Sequence, residues 1–184
     1  MREGCSLHDT HRPCTFAELP ERGWDVQSWD LAFKGNARSD FVAATDWRGS
    51  GGFFYLRDIL NERLDFAATK ARMLGWSKSP VRLVEDAANG PAIQSELASS
   101  VAIELVKPLG GKEARAHSVT PMFDSGKVLF PRAHPKLYEM LAQLEAFPLA
   151  ANDDIVDSIT QGLSHFRASG NQGLVDGMGK LLKR

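Results

Sequence analysis

Five carboxylates are placed where carboxylates are hard to explain as decoration. Asp30 sits between Trp29 and Leu31 in the middle of an apolar run, where a charge is costly unless it is paired or bound to a metal. Glu85 closes the run Val81-Arg-Leu-Val-Glu85, with Asp86 next to it. Asp153, Asp154 and Asp157 crowd the first turns of ANDDIVDSITQGL, residues 151–163. A helix start welcomes one or two acids, but three repel one another. Positions 154 and 157 lie three apart and 153 and 157 four apart, so each pair can share a helix face. If the fold brings these groups together, they cannot all ionise without cations between them. Hard oxygen donors in such a cluster favour Mg²⁺ or Mn²⁺. Two ions ~3.5–4 Å apart can activate water and stabilise the leaving oxygen of a phosphodiester. Taken singly, each acid has a plainer reading: a helix-start acid with Asn152 as N-cap, or a turn residue in the case of Asp86.

The elements that must position these acids follow from periodicity. Asp25–Phe33, Phe41–Trp47 and Phe53–Leu60 read as strands joined by the polar turns Lys34–Asp40 and Gly49–Gly52, a three-stranded antiparallel meander. A helix over about 65–76 precedes the strand Val81–Glu85, and a helix over 92–99 precedes the strand Val101–Val106. A helix over about 113–124, a short strand Val128–Phe130 and helices over 136–147 and 153–168 complete the chain. This order predicts an α/β fold, a mixed five-stranded sheet flanked by helices in the ribonuclease H-like arrangement. There the first and fourth strands are neighbours, which sets Asp30 beside Glu85. Ile155, Ile159, Leu163 and Phe166 form the stripe that docks the last helix, leaving its acids at the rim.

Composition narrows the classes. Of 184 residues, 43% are hydrophobic and 24% charged, enough to bury a sizeable core, and the formal net charge is −1. That balance makes no electrostatic case for nucleic-acid binding, though clustered acids can cancel clustered bases in the sum. No apolar run reaches the length of a membrane span and no signal peptide is evident, so a cytoplasmic protein with no membrane partner is expected. Cys5, His8, His11 and Cys14 invite a zinc reading, but their uniform three-residue spacing is not that of paired knuckles. Residues 1–22 read as a loosely ordered lead-in, 23–169 as the ribonuclease H-like domain and 170–184 as a tail. No G-x-x-x-x-G-K-[ST] loop is present; Gly110-Gly111-Lys112-Glu113 lacks its spacing and hydroxyl.

Four segments together carry a family resemblance. Ser28-Trp-Asp-Leu-Ala-Phe-Lys34 with Ser39-Asp40, Leu83-Val-Glu-Asp-Ala-Ala-Asn-Gly90, Val106-Lys-Pro108 with Lys112 and Arg115-Ala-His117, and Asn152-Asp-Asp-Ile-Val-Asp-Ser158 resemble the carboxy-terminal nuclease domain of phage terminase large subunits. The last segment also looks like the acidic helix of Holliday-junction resolvases. The resemblance implies a two-metal endonuclease that cuts concatemeric phage or prophage DNA during packaging in a bacterial host. It implies Asp30 as first-strand ligand, Glu85 as fourth-strand ligand, and Asp154 and Asp157 as helix ligands, with Asp153 as substitute. Lys34, Lys107, Lys112, Arg115 and His117 would touch DNA phosphates; their alternative reading is solvated surface charge. The family often has His where this chain has Asn152. Double-stranded DNA, a separately encoded packaging ATPase, a small terminase subunit and a portal are the implied partners. A junction-resolving nuclease and a non-catalytic prophage remnant serving as a DNA-binding or assembly module stand as alternatives.

Overall fold

The computed structural model describes residues 15–31, 40–76, 79–87, 89–150 and 152–181. Lys34, Cys5, His8, His11 and Cys14 lie outside the described residues. The strands are β1 (Thr15–Phe16), β2 (Trp24–Leu31), β3 (Asp40–Ser50), β4 (Phe53–Leu64), β5 (Val81–Glu85), β6 (Ala102–Val106) and β7 (Val128–Pro131). The helices are α1 (Phe66–Gly75), α2 (Gly90–Leu97), α3 (Lys112–Asp124), α4 (Leu137–Ala146) and α5 (Asp154–Leu181). No helix among the described residues is long and apolar enough to cross a membrane.

The five expected strands form one mixed sheet. β2, β3 and β4 are the antiparallel meander, and β5 and β6 add in parallel beyond β2. The short strand expected at Val128–Phe130 joins the sheet as β7, and the unexpected β1 extends it to the order β1-β7-β4-β3-β2-β5-β6. β7 pairs parallel with β4 at Phe54 and Tyr55, and β1 pairs parallel with β7. Part of the expected lead-in is therefore sheet: Thr15 and Phe16 take up the open edge of β7, and Phe16 stacks edge-on against Tyr55. At the other end, α5 runs on to Leu181, past the expected stop near 168. Gly170, Gly173, Gly177 and Gly179 each cost a helix about 1 kcal/mol relative to alanine but do not forbid it.

Alternation along the strands divides the sheet into two faces. In β2, Trp29 and Leu31 point into a core with Val42, Leu60, Met73, Val84 and Ile93, beneath α1 and α2. Val26 points the other way, into the core that holds Leu83, Ile155, Ile159, Leu163 and Phe166. Asp30 shares parity with Val26, and Glu85 with Leu83, so both lie on the α5 face. The register pairs Ser28 with Leu83 and Trp29 with Val84, and the next step brings Asp30 level with Glu85. The apolar stripe of α5 is fully packed, with Ile155, Ile159 and Leu163 at most 1% exposed. Each such side chain contributes about 1.5–3 kcal/mol by burial.

Close approach of α5 to the sheet depends on Gly162. A Cβ there would stand 3.0 Å from Trp47 Nε1 and 3.3 Å from Ser28 Cβ. Trp47 is wholly buried and has nowhere to retreat. Gly162→Ala is expected to lower stability by about 1–3 kcal/mol, the range for overpacking a well-filled interior, as read from urea unfolding. An unchanged midpoint would show that the helix can lift without cost.

Candidate active site

The acids gather where the ends of β2 and β5 meet the start of α5. Asp30 is half-buried on β2, and its carboxyl is pushed up to about 7. Burial is the main cause, followed by the charges of Asp157 and Asp154; Lys112 opposes them and Glu85 adds to the rise. Asp154 is also raised, by burial first and then by Asp153, with Lys112 again opposing. Asp30, Glu85 and Asp157, from three separate elements, line one cleft, close enough for their charges to act on one another.

Two cations from α3 sit among them. Lys112 Nζ lies 2.9 Å from Asp153 Oδ1 and 2.6 Å from Asp157 Oδ2. Burial alone would lower the lysine pKa, but hydrogen bonds to Asp157 and Asp153 outweigh it and raise it. Arg115 Nη2 stands 3.2 Å from Asp157 Oδ1, while its Nη1 donates to the Gly110 carbonyl at 3.2 Å. Among the described residues, no three acidic, histidine or cysteine side chains form a ready-made metal cage. The acids of α5 are instead balanced by Lys112 and Arg115.

The helix start differs from the sequence expectation in its capping. The Asp153 carbonyl accepts the first helical bond, from Asp157 N, so Asp153 and not Asn152 precedes the first helical residue. The Ile155 amide is satisfied from another element, donating to Gln143 Oε1 of α4 at 3.1 Å. A local cap is unnecessary where a neighbouring helix supplies the acceptor.

A cleft of about 440 Å³ opens beside the acids, between β5–β6 and the α3–α5 pair. Asp30, Glu85, Lys107, Arg115 and Asp157 line it. Asp153, Asp154 and Lys112 are not among its lining residues and join the site through ion pairs and charge. His117 is exposed on α3 and does not line the cleft. Sequence reasoning missed Glu104, Gln161, His165 and Arg167, which do line it. The signal for two of them was present: Gln161 and His165 follow Asp157 at successive intervals of four on the same helix face. Glu104 has the strand parity of Val106 on β6, and the His165 ring lies 3.5 Å from its carboxylate.

Glu85 is held by the chain that follows it. α2 begins at Gly90, whose Cα packs directly on the Glu85 carbonyl, so that any Cβ would collide with that oxygen. Gly90→Ala is expected to displace the end of β5 and to destabilise by about 1–3 kcal/mol. A thermal midpoint equal to that of the wild type would contradict this packing.

Beneath the acids a buried polar seam joins α5 to the sheet. Trp47 Nε1 donates to Thr45 Oγ1 at 2.8 Å, Thr45 Oγ1 and Ser158 Oγ are 2.8 Å apart, and Ser158 Oγ donates to the Ser28 carbonyl at 2.8 Å. An indole only donates and a carbonyl only accepts, so the chain has one direction, with Thr45 donating to Ser158. Gln161 Nε2 reaches Ser28 Oγ at 2.9 Å and the carbonyls of Trp29 and Leu83 at 3.3 Å each.

Comparison with known proteins bears on this arrangement. The family model described as "Terminase RNaseH-like domain" matches residues 27–166. A search of curated proteins returns no match. Among solved structures, the large terminase nuclease from thermophilic phage G20c superposes with a TM-score of 0.62 at 14% identity, over 89% of this chain and 98% of that one. The large terminase of a second thermophilic bacteriophage gives 0.65 at 9% identity, over 88% of this chain and 45% of that one. The fowlpox virus Holliday junction resolvase gives 0.52 at 17% identity, over 78% and 98%. At these identities the likeness is one of fold.

Proposed function

Because the chain belongs to the terminase RNase H-like domain family, we propose that it is a divalent-metal-dependent endonuclease acting on double-stranded DNA, of the kind that cuts concatemeric phage DNA during packaging. The observation that carries this reading is Asp30, an acid on a central strand that stands level with Glu85 and lines one cleft with Glu85 and Asp157. The donor set is all carboxylate oxygen, which suits a hard cation, and its mutual repulsion creates a demand for positive charge. Structures of the G20c nuclease carry bound zinc, magnesium or cobalt, which supports a divalent cation here.

In this reading Asp30, Glu85, Asp154 and Asp157 hold two Mg²⁺ or Mn²⁺ ions, with Asp153 at the margin. Once bound, the ions would supply Lewis acidity for attack of water on the phosphodiester. The chain's own cations do the rest. Lys112 and Arg115 keep the acids of α5 balanced in the metal-free protein and stand beside the cleft, within reach of a phosphate. Lys107 and Arg167 line the same cleft and track the DNA backbone. Lys107→Ala is expected to weaken DNA binding on every sequence alike and to flatten the slope of log K against log salt by about 0.9. A fluorescence-anisotropy titration at several salt concentrations measures this, and an unchanged slope would remove Lys107 from the interface. A packaging ATPase, a small terminase subunit and a portal are the partners that this role calls for.

The deciding experiment incubates the protein with supercoiled plasmid and Mn²⁺, with chelator as control. Nicked and linear products that vanish with chelator support the proposal. The fold likeness to the fowlpox resolvase gives a second arm, in which a preference for four-way junctions over linear duplex would favour junction resolution. Absence of both cleavage and saturable Mn²⁺ binding by calorimetry would leave a non-catalytic DNA-binding module.

A further inference from the structure

We propose that Gln161 is a positioning residue that sets the placement of α5 and its acids against the paired strands β2 and β5; this rests on the metal-site reading above. The carboxylates come from β2, β5 and α5; the backbone ladder fixes β2 against β5, while α5 lies across the pair and could shift along or about its own axis. Gln161 ties all three through a single primary amide. Its carbon skeleton belongs to α5, one turn beyond Asp157. Its Nε2 donates to the Trp29 carbonyl, immediately before Asp30, and to the Leu83 carbonyl, two residues before Glu85 on the same face. The third acceptor, Ser28 Oγ, belongs to a residue that is wholly buried.

The chemistry of the group explains why an amide is used. Three acceptors converge on one nitrogen, so the side chain must present donors and carry no negative charge of its own. Two N–H groups serve three oxygens, and at least one is shared, in keeping with one bond at 2.9 Å and two at 3.3 Å. A glutamate of the same length would aim a carboxylate at those oxygens and add a charge beside the acids. A methionine would fill the volume and donate nothing. Ser158, one turn earlier, ties the same helix to the Ser28 carbonyl, so the two side chains together fix both the axial position and the rotation of α5. Groups that orient ligands without being ligands alter metal affinity about 10–100-fold when removed.

The test compares wild type, Gln161→Met, Gln161→Glu and Ser28→Ala, with Asp30→Asn as reference, by Mn²⁺ calorimetry, plasmid-cleavage kinetics and thermal melts in chelator. Gln161→Met is expected to bind Mn²⁺ about 10–100-fold more weakly, with kcat reduced and the KM for DNA unchanged. Ser28→Ala removes one acceptor of three and should show a smaller loss in the same direction; it decides the matter if the Gln161 variants do not fold. A lower melting temperature with wild-type Mn²⁺ affinity and kcat is the mark of packing alone and would overturn the proposal. If the wild-type protein itself binds no Mn²⁺, it is the metal-site reading that fails, which is a different result from a wild type that binds beside a Gln161→Met that binds equally well.

Discussion

Asp30→Asn is expected to reduce Mn²⁺-dependent cleavage at least about a thousandfold, and yet to raise the melting temperature of the metal-free protein at pH 8. The first effect follows from removing a charged oxygen donor from a central strand: metal stabilisation of the reacting phosphate is worth several kcal/mol, and each 1.36 kcal/mol is a decade in rate. The second follows from the raised carboxyl. Unfolded, Asp30 titrates near 3.8; folded, it titrates at about 7, mainly because it is buried. Below 3.8 both states hold the proton and the group is neutral to stability. Between 3.8 and 7 the unfolded chain releases a proton that the folded chain retains, so stability falls as pH rises, and it levels off above 7. Asparagine has nothing to ionise and escapes that loss. Melts at pH 3.5 should therefore agree between the two proteins, while melts at pH 8 diverge in favour of the variant. Adding Mn²⁺ should reverse the order, since only the wild type gains from the ligand. A variant less stable than the wild type at pH 8 in chelator would show that the charge of Asp30 is already compensated within the protein.

The apparent affinity for Mn²⁺ should weaken by about a hundredfold between pH 8 and pH 5, because a cation must displace the proton that Asp30 holds below 7. Asp154, whose carboxyl is also raised, adds to the trend in the same direction. Calorimetry in two buffers of different ionisation enthalpy counts the protons released on binding. At pH 6 the expectation is about one per site from Asp30, falling toward zero at pH 8. An affinity that is flat across this range would mean that the metal is held without Asp30. A change in salt concentration separates this effect from Lys112, whose ion pairs with Asp153 and Asp157 are half exposed on the lysine side and weaken as salt rises.

Much of the candidate site was legible because its residues break local rules. Asp30 offends the preference of a strand for apolar neighbours, and Asp153, Asp154 and Asp157 exceed what a helix start needs. The docking stripe of α5 was legible because Ile155, Ile159, Leu163 and Phe166 repeat with the helical period, and packing requires that period to face inward. The meander and the parallel pair followed from turn lengths and connection rules. What stayed hidden is tertiary by nature. A strand of two residues, Thr15–Phe16, has no period to detect and exists only because β7 offers it an edge. Ser28, Thr45, Ser158 and Gln161 are ordinary polar residues in sequence, and their hydrogen bonds span up to 133 positions. Lys112 and Arg115 could be placed near the cleft, but their pairing with the acids depends on how α3 lies against α5. The Ile155 amide finds its acceptor on α4, where a sequence reading looks for it next door.

The two-faced character of β2 sets the conditions for assembling the candidate site as well as a stable fold. Val26, Ser28 and Asp30 face α5, and the residues between them face α1 and α2. A slip of one position against β5 would send the Asp30 side chain into the opposite core and turn the Trp29 side chain onto the α5 face. Such a misfold would retain most of its secondary structure and lack the site altogether. Gln161 Nε2 reaches the Ser28 hydroxyl on the α5 face and would lose that acceptor on a slip of one, so the seam that seats the helix also favours the correct register. On the metal-site proposal, the fraction of a preparation that binds Mn²⁺ would report how faithfully one strand has found its place.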